Sequence, residues 1–465
     1  MKQYLNKKKI LYLAISIYMI IEGFYLVKQE GIPWDSAVYI EMGKYIFSLG
    51  KVGLWEPARP IILPLILGLI WKIRLNPILF GKILEILSGL GCIYLTYSIG
   101  KRIFNENTGL LAALFLSLSP TFLFYSPTIL TGIPSTFFTL LALDFFLKKK
   151  YFNSGSLLSL AFLTRYPQAF VLGCLASIII VAHKKEKAKR VIDILSGFFI
   201  MSLPFIIINW LLYKNPLYPF LLQVFMTKNT GWIFNKPFYF YFVGLIKENL
   251  FNVFLIVGTM LILKRKEKKK AIEKILILFL FVVYFIFFSL IPHKEMRFTI
   301  VFLPYMYLIS AYGTIKYIRL IAKRNKLFLY GFLLLTIFLW INLESANIYP
   351  PRYQQYKAFQ AYIEKEEVKD NIWISNPIFI VNSNKKADEL IYYTVYNSEK
   401  IKTLQKNLAN AKHILVNTCD ILPCHPKDKK CFNETKELLS TINKKFKLVY
   451  KNTSRDCQYF IFKKE

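Results

Sequence analysis

"IPHKEMRF" occupies residues 291–298, between apolar runs near 272–291 and 298–317. Each run has the roughly 20 residues that a helix needs to cross a ~30 Å hydrocarbon layer. His293, Lys294, Glu295 and Arg297 therefore fall where one crossing ends and the next begins. Four polar or charged groups at such a junction need a compensating partner, and that need organises the rest of the reading.

Working outward, the whole 465-residue chain is oily: 55% of it is hydrophobic and 17% aromatic. That apolar share exceeds the usual range for soluble domains, and the chain reads as a polytopic α-helical membrane protein. Its net charge of +33 would suggest nucleic acid if spread over a soluble surface. Here many basic residues lie in short clusters between apolar runs, as cytoplasmic membrane flanks do, so no nucleic-acid partner is expected.

"MKQYLNKKKILYLAISIYMIIEGFYLV" at 1–27 has a basic start but a long apolar run and no small-residue cleavage site. It reads as a first transmembrane helix, not a removable signal. Lys7 to Lys9 put the N-terminus inside. Further spans are expected near 78–100, 109–126, 128–147, 153–165, 168–182, 191–212, 238–263, 272–291, 298–317 and 327–342. With the first at 10–27, that makes eleven.

"GKRIF" at 100–104, "KKK" at 148–150, "HKKEKAKR" at 183–190, "KRKEKKK" at 264–270 and "KYIRLIAKRNK" at 316–326 then all fall inside. The loop 28–77, the segment 213–237 and the opening junction fall outside. "IILPLILGLIWKI" at 61–73 is too short for an ordinary span and reads as an interfacial or re-entrant helix.

From about residue 343 the pattern changes. "NIWISN", "HILVN", "FKLVY" and "QYFIF" are strand-like, and "KIKTLQKNLANA" and "NETKELLSTINKKF" read as amphipathic helices. The expected organisation is a transmembrane domain at 1–342, with outer loop 28–77, and a small extracytoplasmic α/β domain at 343–465. Cys92 and Cys174 lie in spans, where packing is their role. Cys419, Cys424, Cys431 and Cys457 all lie in the tail, which suggests two disulfides with three alternative pairings. Free thiols, or a zinc site begun by "CDILPCH" with His425, are the alternatives.

Three outward polar groups carry the chemistry. In "GIPWDSAVYIEMGKYIFSLGKVGLWEPARPIILP" at 31–64, Asp35 opens an interfacial helix running through Glu41, and Glu56 and Arg59 follow between prolines. This is either a solvated, aromatic-anchored loop or a carboxylate held over a cavity, where burial raises its basicity enough to take an alcohol proton. In "LTRYPQ" at 163–168, Arg165 pairs with a carboxylate, meets a headgroup or snorkels. At 293–297 the excess positive charge suits a phosphate, which arginine grips through parallel hydrogen bonds. Headgroup contact or an internal salt bridge is the plainer alternative.

Two of these stretches resemble a known group, the membrane-integral GT-C superfamily of polyprenyl-phosphate-sugar-dependent glycosyltransferases. "WDSAVYIEMGKYI" is similar to the first-loop acidic segment of its protein-mannosyltransferase and aminoarabinose-transferase-like branches. "HKEMRF" resembles the "HKE-x-RF" string of the mannosyltransferases of GPI anchors and lipid-linked oligosaccharides. The resemblance also covers the architecture of about the first 340 residues.

It implies transfer of a hexose such as mannose from a polyprenyl- or dolichyl-phosphate donor to a glycan, lipid or protein acceptor at the outer membrane face. Asp35 would be the catalytic base. His293, Lys294, Arg297 and Arg165 would bind the donor phosphate, while Glu41, Glu56, Arg59 and Glu295 would touch the acceptor or support these residues. Branches with an Asp-Glu pair there allow a divalent metal, but Asp35-Ser36 does not indicate one, and no cofactor is implied. The expected location is a prokaryotic plasma membrane.

The rival from another class is a multi-pass transporter of lipid-linked glycan or polymer. It should show repeated or interrupted helices with polar groups at the membrane centre. No clear repeat is visible, and the polar groups gather toward one face.

Overall fold

A computed structural model describes residues 7–28, 31–182, 186–264, 270–322, 353–365, 371–391, 398–420, 424–425, 427–454 and 457–464. The expected span at 327–342 lies outside the described residues. Two compact units emerge: Met1–Glu30 with Lys82–Tyr218 and Phe234–Ala346, and Gly31–Gly81 with Pro219–Ile233 and Asn347–Glu465.

The first unit is helical and apolar. It begins with α1, Lys7–Lys28, and its core joins residues such as Tyr18, Ile93, Leu116, Phe122, Tyr284 and Tyr305. Four described helices are long and apolar enough to cross a membrane: Leu11–Lys28, Pro77–Ile103, Lys187–Tyr213 and Ala271–Leu290. The expected span at 298–317 is a 3-10 turn, Met296–Val301, followed by the 20-residue helix Leu303–Ala322, and the remaining described ones correspond to shorter or broken helices.

Two runs read as continuous are interrupted. The run at 109–126 stops after Glu106–Ser117 and restarts as Pro120–Tyr125, capped by the Ser119 side chain. The run at 238–263 breaks at Asn249, between Phe240–Glu248 and the turn Leu250–Val253, before Phe254–Leu263 continues. Glu248 joins the two breaks. Its carboxylate accepts the Thr121 backbone N–H at 3.1 Å and the hydroxyls of Ser119 and Thr121. Backbone groups freed inside a membrane must find partners within the protein, and here a side chain from another helix supplies one for the Thr121 N–H. The interruptions are thus filled by protein.

The second unit combines the first loop with the tail. Helix α2, Trp34–Phe47, is longer than the expected interfacial segment, and α3, Ile62–Lys72, packs along it. The contact is close enough to require glycines. A Cβ at Gly43 would stand 2.5 Å from the Pro64 carbonyl oxygen, and one at Gly68 would collide with the Gly43 backbone. The eleven residues of α3 rise about 16 Å, half a hydrocarbon layer. Leu63 and Leu67 are buried while Leu65 and Leu69 stay exposed, so the helix is apolar on its packed face and on its open one.

The tail sheet has β1 (Ile372–Ile374), β2 (Ala387–Leu390), β3 (His413–Asn417), β4 (Phe446–Ser454) and β5 (Cys457–Lys464). Their order is β2-β1-β3-β5-β4, with β1 parallel to both β2 and β3 and β5 antiparallel to β3 and β4. Helices Ser398–Asn407 and Lys429–Lys445 bring Ile401, Leu404, Leu438 and Ile442 into a core with Trp373, Ile414 and Phe462. Tyr356 and Phe359 of Tyr353–Lys365 instead meet Phe379 and Tyr459 in tilted and edge-to-face ring contacts. Cys419 pairs with Cys457 and Cys424 with Cys431, whereas Cys92 and Cys174 are free and buried. The cysteines that the zinc alternative would use are therefore held in disulfides.

Candidate functional site

In the second unit, Asp35 stands in the first turn of α2, whose N-cap position is Pro33. Proline offers no capping side chain, and the Asp35 carboxylate lies in the first turn, where the helix dipole favours negative charge. Arg59 meets it: Nη1 lies 2.9 Å from Asp35 Oδ1, and Nε donates to Glu56 Oε1 at 3.0 Å. The guanidinium also lies 5.8 Å from the centre of the Tyr39 ring. Asp35 and Arg59 are each about one-sixth exposed, while Glu56 is nearly buried. The carboxylate thus carries a fixed counter-ion, which neither a solvated loop nor a carboxylate made more basic by burial had included.

Glu41 is placed differently. It is fully buried, 2.9 Å from Lys44, whose ammonium donates to the Val381 and Ser383 carbonyls. Burial pushes its carboxyl up to about 7, with Lys44 pulling the other way. Glu41 is an internal anchor and is not presented to an acceptor.

In the first unit, His293 makes an isolated bridge and Glu295 is extended before a tight 3-10 turn, Met296–Val301. One carboxylate oxygen gathers two bases: Glu295 Oε1 lies 2.6 Å from His293 Nε2 and 2.7 Å from Arg297 Nη2. Burial alone would raise the Glu295 carboxyl, but Arg297 and His293 outweigh it and hold it below the usual carboxylate range. Lys294 is nearly buried and donates to the Ile291 carbonyl at 2.7 Å, and desolvation pulls its ammonium down.

Arg165 joins this cluster from the extended residue between Tyr151–Thr164 and Tyr166–Gln168. Its Nη1 donates to Thr131 Oγ1 at 3.0 Å. The guanidinium groups of Arg165 and Arg297 lie 5.3 and 5.6 Å from the centre of one ring, Phe298. The "x-RF" end of the string thus supplies both a cation and the aromatic face that two cations share.

Sequence reasoning missed the groups that fix this arrangement. The Tyr241 hydroxyl bonds both the N–H and the C=O of Glu295, each at 3.2 Å. Phe234 stacks on His293 with centroids 4.2 Å apart, and Asn235 pairs with His293 as an antiparallel bridge. The Lys294 N–H donates to the Phe234 carbonyl. The aromatic density of 232–241 was the available signal, but it reads equally well as membrane-interface aromatics. Among the described residues, no group of three His, Cys, Asp or Glu could hold a metal ion.

The chain has the GT-C fold of membrane-embedded glycosyltransferases. ArnT from Cupriavidus metallidurans bound to undecaprenyl phosphate superposes with TM-score 0.68 and 11% identity, over 97% of each chain. The Archaeoglobus fulgidus oligosaccharyltransferase tethered with an acceptor peptide gives 0.63 and 13%, over 90% of this chain and 69% of that one. AglB from the same organism, in complex with an inhibitory peptide and a dolichol-phosphate, gives 0.60 and 14% over 89% and 69%. No curated protein matches the sequence.

Residues 57–382 match the Alg9-like mannosyltransferase family, and the chain belongs to it. The matched region contains Arg59, Arg165 and the 293–298 string, and it begins after Asp35.

Proposed function

We propose that the protein transfers a hexose, mannose by its family, from a polyprenyl- or dolichyl-phosphate donor to a hydroxyl group of a glycan, lipid or protein acceptor. The reaction belongs at the outer face of the plasma membrane, with the N-terminus inside and the tail outside. The observation that carries this reading is the charge around Phe298. Arg165 and Arg297 lie against this one ring, with Glu295 bonded to Arg297. Like charges held this close are favourable when an anion joins them, and a phosphate on a membrane lipid meets that need at an interface.

The roles follow from the chemistry. The acceptor oxygen attacks the anomeric carbon, its proton passes to Asp35, and the bond from that carbon to the phosphate oxygen breaks. Negative charge grows on the leaving lipid phosphate, where Arg297, Arg165 and Lys294 stabilise it. His293 donates to the phosphate or orients Glu295, and Glu295 fixes the fork of Arg297. Arg59 aims the Asp35 carboxylate and holds it beside Glu56.

Transfer assays with the purified full chain test the proposal, using polyprenyl-phosphate mannose, polyprenyl-phosphate glucose and a nucleotide-linked mannose. Transfer from a lipid-phosphate sugar alone is the expected result. Transfer from the nucleotide sugar, or flipping of lipid-linked glycan without transfer, would overturn it.

A further inference from the structure

The buried pair on α2 has no place in the chemistry just described, yet three separate points of the first loop meet the same tail turn. Lys44 and Glu41 are both buried, one helical turn apart. The Lys44 ammonium faces Glu41 Oε1 at 2.9 Å, the Val381 carbonyl at 2.6 Å and the Ser383 carbonyl at 3.0 Å. Two backbone carbonyls accept hydrogen bonds from the ammonium, and Glu41 faces it as an ion pair. Farther along, the Gly53 N–H donates to the Lys385 carbonyl at 2.9 Å, and the Ala387 N–H donates to the Gly53 carbonyl at 3.0 Å. Gly53 has φ +84°, and a Cβ there would collide with the Glu41 carbonyl, so only glycine fits this bridge. From α3, Trp71 Nε1 donates to Asn384 Oδ1 at 3.1 Å.

We infer that the tail turn 381–387 is a positioning clamp for α2, with Lys44 the positioning residue that sets where the first turn of the helix holds Asp35. A surface lysine would tether loosely, but this one is desolvated and bonded to backbone carbonyls, which cannot swing away as side chains do. The ten residues from Asp35 to Lys44 form one continuous helix of about 13 Å, stiff enough to carry a displacement from one end to the other. Packing of α2 on α3 through Gly43 and Gly68 removes the remaining sliding freedom. The inference rests on the reading of Asp35 as the acceptor base, since a clamp on an idle helix would have no effect on turnover.

The test separates positioning from bulk stability. In the full chain, Glu41→Leu with Lys44→Met removes both buried charges together and leaves no orphaned ion, so the fold is retained while the two carbonyl contacts are lost. The expected result is a thermal midpoint near wild type, kcat lower by roughly tenfold or more, and KM for polyprenyl-phosphate mannose changed less than threefold. A misplacement of about 1 Å can cost a catalytic group as much as 10²-fold. Wild-type kcat in a stable double variant would overturn the clamp.

Should that variant not fold, Trp71→Phe removes only one exposed contact. A severalfold loss of kcat at unchanged KM then supports the clamp, and unchanged kcat overturns it. Hydrogen exchange of the α2 amides gives a readout independent of transfer. Faster exchange across Asp35–Lys44 in the variants, together with full turnover in Asp35→Asn, would retain the clamp as a structural contact and defeat only the reading of Asp35.

Discussion

Arg59 Nη1 lies 2.9 Å from Asp35 Oδ1, so the proposed base meets its acceptor with a counter-ion already in place. Asp35→Asn keeps the size and one oxygen but removes the proton sink. Turnover should fall about 10²–10⁴-fold, the usual contribution of a positioned general base, with the thermal midpoint little changed. Initial transfer rates and melting curves on one preparation decide the point. A stable Asp35→Asn protein with near-normal turnover would pass the role to Glu56.

Arg297 holds Glu295 through one nitrogen and lies against Phe298. Arg297→Lys retains the charge and loses the planar fork, so donor KM should rise by roughly tenfold while acceptor KM stays put. Arg297→Ala should be worse. Equal donor dependence in Arg297→Ala and wild type would reduce the arginine to a packing role.

Two carboxylates should respond to pH with opposite signs. Glu295 is held below the usual range, so its contribution to stability is full above the unfolded value of about 4.3 and is lost as pH falls through its lower folded value. The stability gap between wild type and Glu295→Gln should therefore close only in strong acid. Glu41 is pushed up to about 7, so its ionisation destabilises the fold progressively as pH rises from about 4.5 to 7. Glu41→Gln should lack that decline. Melting curves from about pH 2 to 8 measure both, and a parallel decline in wild type and Glu41→Gln would contradict the second.

The tail disulfides differ in leverage. Cys419–Cys457 closes a loop across 38 residues, and Cys424–Cys431 one across 7. Cys419→Ser with Cys457→Ser should cost about 2–4 kcal/mol, and the shorter pair less. Alkylation before and after reduction, followed by mass analysis, checks the pairing. Four reactive thiols in the unreduced protein would refute it.

Orientation is tested at exposed positions. Leu49 is 89% exposed in the first loop, and the Lys101 side chain is more than half exposed in an expected inner cluster. Leu49→Cys in intact cells should react with an impermeant thiol reagent and Lys101→Cys should not. The reverse pattern would put Asp35 on the wrong face.

Hydropathy located most helices because long apolar runs state their own length. It could not see the break at Ser119, whose partner Glu248 arrives from 129 residues away, although Pro120 is a recognised helix-start signal. Strand β2 was missed because "ADEL" lacks alternation and owes its place to pairing with β1. At the site, sequence found the bases and acids but not their division of labour. Asp35, Glu41 and Glu56 are three similar carboxylates in one loop, and only tertiary contacts make one an anchor and leave another beside Arg59. The aromatic supports Tyr241 and Phe234 were hidden among many interfacial rings.

The bond from Lys44 to the Val381 carbonyl spans 337 residues of chain. At ribosomal speeds of about 5–20 residues per second, the first loop leaves the ribosome roughly 15–70 s before the turn that will fasten it. During that interval α2 lacks its seat, and a nascent chain already inserted in the bilayer has an unfinished first loop. A truncated product, however well its early helices insert, would keep that loop unfastened. On the clamp inferred above, a competent first loop follows only once the turn 381–387 has been made.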